Sequence, residues 1–236
     1  MANQHILKYG SSEIPFSIIR EDRKSLKISV HPDMTVEVIA PNEAGIEKVF
    51  QKLERRGKWI RKQQRYFESF LPSTPARKFI SGETHLYLGK QYRLKIIESN
   101  HEYVKLTRGY FLIGTPKTNN KERIKGLLSA WYKSHAEKRF NKSLEANLSY
   151  FKKWNISPPP LEIKKMSKRW GSCTAKGKII INPEIIKAPP RCIDYVIIHE
   201  LCHLVHHNHG RKFYDLQKAI MPDWEKWKLK LEKTLF

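Results

Sequence analysis

Between His5 and Pro41 apolar and polar residues alternate in three runs, IPFSIIR, SLKISV and TVEVIAP. A period of two is the mark of half-buried strands, and the turn-forming His31-Pro32-Asp33-Met34 between the last two runs predicts antiparallel pairing. Over residues 43–68 the period changes. Ile46, Val49, Phe50, Leu53 and Ile60 recur on one face of a helix, and Arg55, Lys58, Lys62 and Arg65 on another. Alternation returns from Phe79 to Ile113, with Gly89-Lys90 and Arg108-Gly109 at plausible hairpin turns. The turn-rich stretch 114–120 is the best candidate linker. After it, Ile124, Leu127, Leu128, Trp131 and Phe140 resume a helical period behind asparagines suited to capping.

Past the Pro158-Pro159-Pro160 run, LEIKKMSKRWGSC and KIIINPEII read as two strands joined by a turn at Ala175-Lys176-Gly177. Pro189-Pro190 then precedes IDYVIIHELCHLVHH, a helix whose apolar residues cover most of its circumference and which is therefore expected to be buried. The pattern predicts an α+β protein: a basic, β-rich N-terminal region with one amphipathic helix over residues 1–118, and a helix-led domain over residues 119–236. Strand–turn–strand runs occur more than once, without a solenoid repeat.

Composition narrows this picture. Hydrophobic residues make up 40% and aromatics 11% of 236 residues, a globular balance that argues against a disordered chain. The start, MANQHILKYGSSEIPF, lacks a charged segment leading into an apolar one, and no apolar run approaches membrane-spanning length. Cys173, Cys192 and Cys202 form no CxxC pair, so neither a disulfide framework nor a thiolate zinc cluster is suggested. The expectation is a soluble cytoplasmic protein with reduced thiols.

A formal charge of +22, from 45 basic and 23 acidic residues, implies attraction to polyanions. The row Arg55, Lys58, Lys62, Arg65 is then either a solvated outer face or a surface for nucleic-acid phosphates.

The chemistry concentrates in VIIHELCHLVHHNHG, which holds five of the ten histidines. His199-Glu200-Leu201-Cys202-His203 is an H-E-x-x-H sequence. On a helix the two imidazoles stand one turn apart on one face and can share a tetrahedral zinc, while the glutamate beside them addresses a water. His206 and His207 lie too far along a continuing helix, about 10–12 Å from His199, to join an ion whose bonds are about 2.0–2.1 Å. They are expected to decorate a polar helix end. The third ligand therefore has to come from beyond the helix. Asn208-His209-Gly210 offers an exit, because Asn and Gly tolerate the left-handed conformation, and a turn there can bring His209 back. The residue count matches metzincin spacing, yet His206 stands where that group has glycine and Met221 makes a poor Met-turn, so a metzincin is not assigned. Cys202 is expected to face the core, with no nucleophilic role.

RWGSCT, KIIINPEII and IDYVIIHELCHL with the following NHG…F, which ends at Phe213, together resemble the YgjP-like zinc metallopeptidases, distant relatives of the SprT and WLM zincin groups. These motifs span about residues 165–215, and IPFSIIR…LKISVHPDMTVEVIAPN extends a looser likeness over the front half. The resemblance implies a zincin-like domain with one Zn2+ on His199, His203 and His209 and with Glu200 as general base. It also implies a sheet edge beside the active helix, to which an extended peptide can add as a further strand. Arg169, Trp170, Gly171 and Ser172 are then substrate-binding candidates, Trp170 and Ser172 on opposite sides and Gly171 allowing close backbone approach. Trp170 is alternatively core packing, and Arg169 either meets a substrate carboxylate or pairs with Asp194. The expected function is zinc-dependent hydrolysis of peptides or proteins. The alternative is a nucleic-acid-associated module with a structural zinc, or a protease acting on nucleic-acid-bound proteins. Three histidines leave an open position, which disfavours a purely structural ion.

Overall fold

The computed structural model describes residues 3–31, 33–71, 75–167 and 169–235; Pro32 of the expected first turn lies outside these. The chain forms two compact units that meet at residues 74 and 75.

In the first unit, β1 (Asn3–Tyr9), β2 (Ser12–Glu21), β3 (Lys27–Val30) and β4 (Val36–Pro41) form one sheet, followed by helix α1 (Ile46–Glu68). The strand order is β1-β2-β4-β3. β3 and β4 pair antiparallel as the turn between them predicts, but β2 and β4 run parallel, with Phe16 opposite Val36 and Ile18 opposite Val38. The chain passes β2, lays down β3 at the far edge, and turns back to insert β4 between them. Alternate residues Val36, Val38 and Ala40 are buried, and Val49, Leu53 and Ile60 of α1 close over them in one apolar cluster.

The second unit opens with the same plan. β5 (Thr84–Tyr87), β6 (Lys90–Glu98), β7 (Tyr103–Thr107) and β8 (Tyr110–Thr115) take the order β5-β6-β8-β7, again with a parallel central pair, and α2 (Lys121–Leu148) follows. The Asn120 side chain caps α2 by accepting from the Arg123 N–H at 3.0 Å. The expected boundary at residues 118 and 119 is therefore corrected. Leu94, Phe111 and Ile113 of this sheet share one core with Ile124, Leu128, Tyr132 and the helices that follow, so the turn-rich stretch before α2 is an ordinary strand-to-helix connection. Mixed sheets and helices in both units make the fold α+β, as expected.

Beyond α2, β9 (Leu161–Ile163), β10 (Gly171–Cys173) and β11 (Ile179–Ile181) form a small sheet in the order β10-β11-β9. The stretch expected as one strand is two, on opposite sides of β11 and joined by an irregular loop, with β10 antiparallel and β9 parallel to it. Helices α3 (Pro190–Val205), α4 (Arg211–Ile220) and α5 (Trp224–Leu235) complete the unit. The β5–β6 turn, at Leu88-Gly89 and so one residue earlier than expected, fixes where α3 begins. Leu88 N–H and Gly89 N–H donate to the Ile186 and Lys187 carbonyls, both at 2.9 Å. Gly89 has φ +79, and a Cβ there would stand 2.8 Å from the Pro189 ring. α3 is buried along most of its length, as its sequence predicts. Among the described residues no helix is long and apolar enough to cross a membrane.

One buried group in α5 works against stability. The Glu232 carboxyl has an oxygen without a hydrogen-bond partner among the described residues, and burial pushes its pKa up to about 7. The folded state then keeps a proton that the unfolded chain releases near pH 4.5, so stability falls as pH rises from about 4.5 to 7. Glu232→Gln is expected to flatten this part of the profile and to raise stability at neutral pH, measured by denaturant unfolding across that range.

Candidate metal centre

α3 presents His199 and His203 one turn apart, with ring centroids 5.0 Å from each other. The helix stops sooner than its sequence suggests. His206 takes an extended conformation, φ −131, with its N–H on the Cys202 carbonyl at 2.8 Å, so His206 and His207 lie outside the helix. The exit also differs from the expected left-handed turn, since Gly210 has φ −84 and serves as the residue before α4. The predicted result still holds, because the extended segment carries the His209 ring back over the other two.

The ligand nitrogens of His199, His203 and His209 all lie within 4.8 Å of one another. His199 Nε2 and His209 Nε2 are 3.0 Å apart. Two nitrogens on one tetrahedral zinc stand about 3.3 Å apart for bonds of about 2.0–2.1 Å, so His199 and His209 are close to the separation that a shared ion requires. His206 and His207 do not join it, although their backbone hydrogen-bonds the His203 ring.

The tautomer is set from outside the triad. Gln217 Oε1 lies 2.9 Å from His199 Nδ1. An amide oxygen can only accept, so Nδ1 carries the proton and the Nε2 lone pair faces the other imidazoles. Gln217 is fully buried on α4, and its Nε2 has no hydrogen-bond partner among the described residues. Phe213, one turn earlier, packs on all three rings at centroid distances of 5.0, 4.6 and 4.7 Å. Burial lowers the His199 pKa to about 4, against the hydrogen bond that His199 donates to Gln217, and lowers that of His203, with His209 adding to the effect. Both stay neutral at pH 7, the form that binds metal.

Glu200 lies beside this face, outside the triad and only 4% exposed. Its carboxylate rests on β10, where a Cβ added at Gly171 would stand 2.5 Å from Oε1. Burial pushes its pKa up to about 8, while the Arg169 charge and the Cys173 backbone N–H pull it down. β10 is an edge strand. The Asn182 N–H to Trp170 carbonyl bond and the Thr174 N–H to Lys178 carbonyl bond turn those groups toward β11, so alternation aims the backbone of Gly171 and Cys173 away from it.

Arg169 is exposed, and Asp194 takes other partners: Arg139 at 3.9 Å, Arg191 at 4.0 Å and the Ser143 hydroxyl. Trp170 is half-buried against the core, and Ser172 is half-buried in β10. Trp170 stands at a bend just before β10, and Ser172 is the middle residue of that strand. Cys202 is fully buried with its thiol pushed up to about 12, and Cys173 is raised by burial and by Glu200, which suits neither as a nucleophile. Met221 is a core residue at the end of α4. Arg55, Lys58, Lys62 and Arg65 lie exposed on α1 in the first unit.

Sequence reading missed Gln217 and Asn182, and it placed Phe213 in the family motif without giving it a role. Asn182 is buried and its side chain donates to the Met166 and Arg169 carbonyls at 2.7 and 3.1 Å, fixing the loop that enters β10. For Gln217 a signal existed: Phe213, Leu216 and Ile220 define an apolar helix stripe in which a glutamine fills one slot.

The YgjP-like metallopeptidase domain model matches residues 24–234 of the chain. Two solved structures are similar over part of it. The metallopeptidase zymogen abylysin of Pyrococcus abyssi is 19% identical, covering 37% of this chain and 87% of its own, with a TM-score of 0.34. The metallopeptidase zymogen jannalysin of Methanocaldococcus jannaschii is 24% identical, covering 43% and 97%, also with a TM-score of 0.34. No curated protein matches the chain.

Gln217→Leu keeps the volume but removes the oxygen that orients His199. Zinc affinity measured by chelator competition is expected to fall roughly 10–100-fold, and Gln217→Glu, which retains an acceptor, to fall less. Wild-type affinity in the leucine variant would contradict the orienting role.

Proposed function

The chain belongs to the YgjP-like metallopeptidase family, and we propose that it is a zinc-dependent peptidase in which Glu200 is the general base. The observation that carries this reading is the convergence of three imidazoles within 4.8 Å, with a buried carboxylate beside them that is not one of the group. Three protein ligands leave a coordination position free for chemistry. When bound, zinc supplies Lewis acidity, polarising a scissile carbonyl and bringing the pKa of a water toward about 7.

The chain's own groups do the rest. Glu200, held by the Cys173 N–H and by its seat on Gly171, takes the proton of the attacking water and returns it to the leaving amide nitrogen. Gly171 leaves room for that carboxylate between strand and helix. The substrate lies extended along the open side of β10, where the outward N–H and C=O of Gly171 and the C=O of Cys173 offer hydrogen bonds, the Cys173 N–H being taken by Glu200. Arg169, Trp170 and Ser172 flank that strand, and the exposed guanidinium of Arg169 suits a carboxylate on the substrate.

Glu200→Gln tests the assignment. Elemental analysis is expected to show zinc retained, and cleavage of a broad peptide library to fall by about 10²–10⁴-fold. Undiminished cleavage by that variant would refute the role given to Glu200.

A further inference from the structure

We infer that the outer face of α1 is a binding surface for single-stranded nucleic acid. Val49, Leu53 and Ile60 of this helix are fully buried in the core of the first unit. At about 100° per residue, Arg55, Lys58, Lys62 and Arg65 fall within an arc of about 80° on the opposite side. All four are exposed. Their Cα atoms span about 15 Å of helix at about 1.5 Å per residue, the length of about four phosphates at the stacked spacing of about 3.4 Å.

Two observations separate this face from an ordinary solvated one. Long surface helices commonly neutralise their cations with carboxylates three or four residues away. Glu54 stands four residues before Lys58, yet among the described residues no ion pair within 4.0 Å involves α1. The cations remain free for an external anion. Secondly, Trp59 lies at the edge of this row, about 40° from Arg55 and about 60° from Lys62, and it is 38% exposed. An accessible indole beside a row of cations is what an unstacked base requires, since bases stack on aromatic rings while the phosphates follow the charges. A paired duplex offers its phosphates but no free base face. An anionic membrane is a poorer match, because an interfacial helix needs its apolar face free to insert and α1 has spent that face on its own core.

The experiment titrates the full-length zinc-loaded protein with a fluorescent oligothymidylate at several salt concentrations. The variant Arg55→Gln/Lys58→Gln/Lys62→Gln/Arg65→Gln is expected to bind more weakly and to reduce the log–log salt slope by about 2.8, for four phosphate contacts at about 0.7 each. A control variant changes four exposed lysines of α5, Lys226, Lys228, Lys230 and Lys233, to Gln. It is expected to change the slope by less than one. Trp59→Ala is expected to cost roughly tenfold in affinity, and oligothymidylate to quench the indole in the wild type.

The proposal is overturned if the α5 control loses as much binding as the α1 variant, since the overall charge of +22 then accounts for binding. Tighter binding of duplex DNA or anionic vesicles through the same residues overturns it too, as does the absence of oligothymidylate binding at low salt. Peptide cleavage and zinc content of the α1 variants are expected to match wild type, so failure here is distinct from failure of the Glu200 assignment.

Discussion

The close approach of β10 to α3 is the constraint on which the site depends. A strand can lie against a buried helix at this separation only if no side chain stands between them, and at the point of contact the strand has glycine. The Glu200 carboxylate occupies the space a Cβ would need, 2.5 Å from that position, and accepts from the next outward N–H of the strand. One packing decision thus fixes the carboxylate, the open edge and the distance between them. Asn182 extends the arrangement by tying the loop before β10 to the start of the chain segment after β11. The register of the edge relative to the helix is consequently over-determined.

Electrostatics follow from the same burial. A carboxylate and an imidazole both lose hydration in this interior, and both are driven toward their neutral forms, Glu200 upward and His199 downward. Neutral imidazoles with fixed tautomers are ready ligands. The two costs differ in how they are offset: His199 has a dedicated partner in Gln217, whereas Glu200 has a single backbone donor and a distant guanidinium. A group with incomplete compensation is the more responsive to whatever charge enters beside it.

Much of this was legible from residue spacing. His199, Glu200 and His203 came from helical geometry, and His209 from an argument about reach, because bond lengths to an ion are short compared with two turns of helix. The exit conformation was misread, since left-handed tolerance in Asn and Gly permits such a turn without requiring it, and here His206 leaves the helix by extension. Strand runs were visible through their period, but period carries no information on partners; the parallel pairing of β2 with β4, and its repetition by β6 and β8, depend on contacts distant in sequence. The division at residues 74 and 75 escaped for the opposite reason. Local turn chemistry near residue 118 was strong, while the shared core that joins β5–β8 to α2 lies in packing that no short window contains. Gln217 was hidden because it occupies an apolar slot, where a polar residue reads as noise unless its buried partner is known.

α4 and the segment before it contribute His209, Phe213 and Gln217, whereas α3 contributes His199, His203 and Glu200. The centre is therefore a junction between two helices and not a feature of one. His209 is exposed, its ring packs on Phe213 and approaches His199, and the His199 ring is in turn set by the Gln217 hydrogen bond. An ion drawn to three nitrogens would bind only the docked arrangement, and its binding free energy would then add to the docking of α4 by simple linkage. The same reasoning gives a role to a fully buried glutamine whose side-chain nitrogen has no hydrogen-bond partner among the described residues. Leaving that donor unpaired costs about 1–3 kcal/mol, and what it secures is a fixed imidazole at the interface of the two helices that build the site.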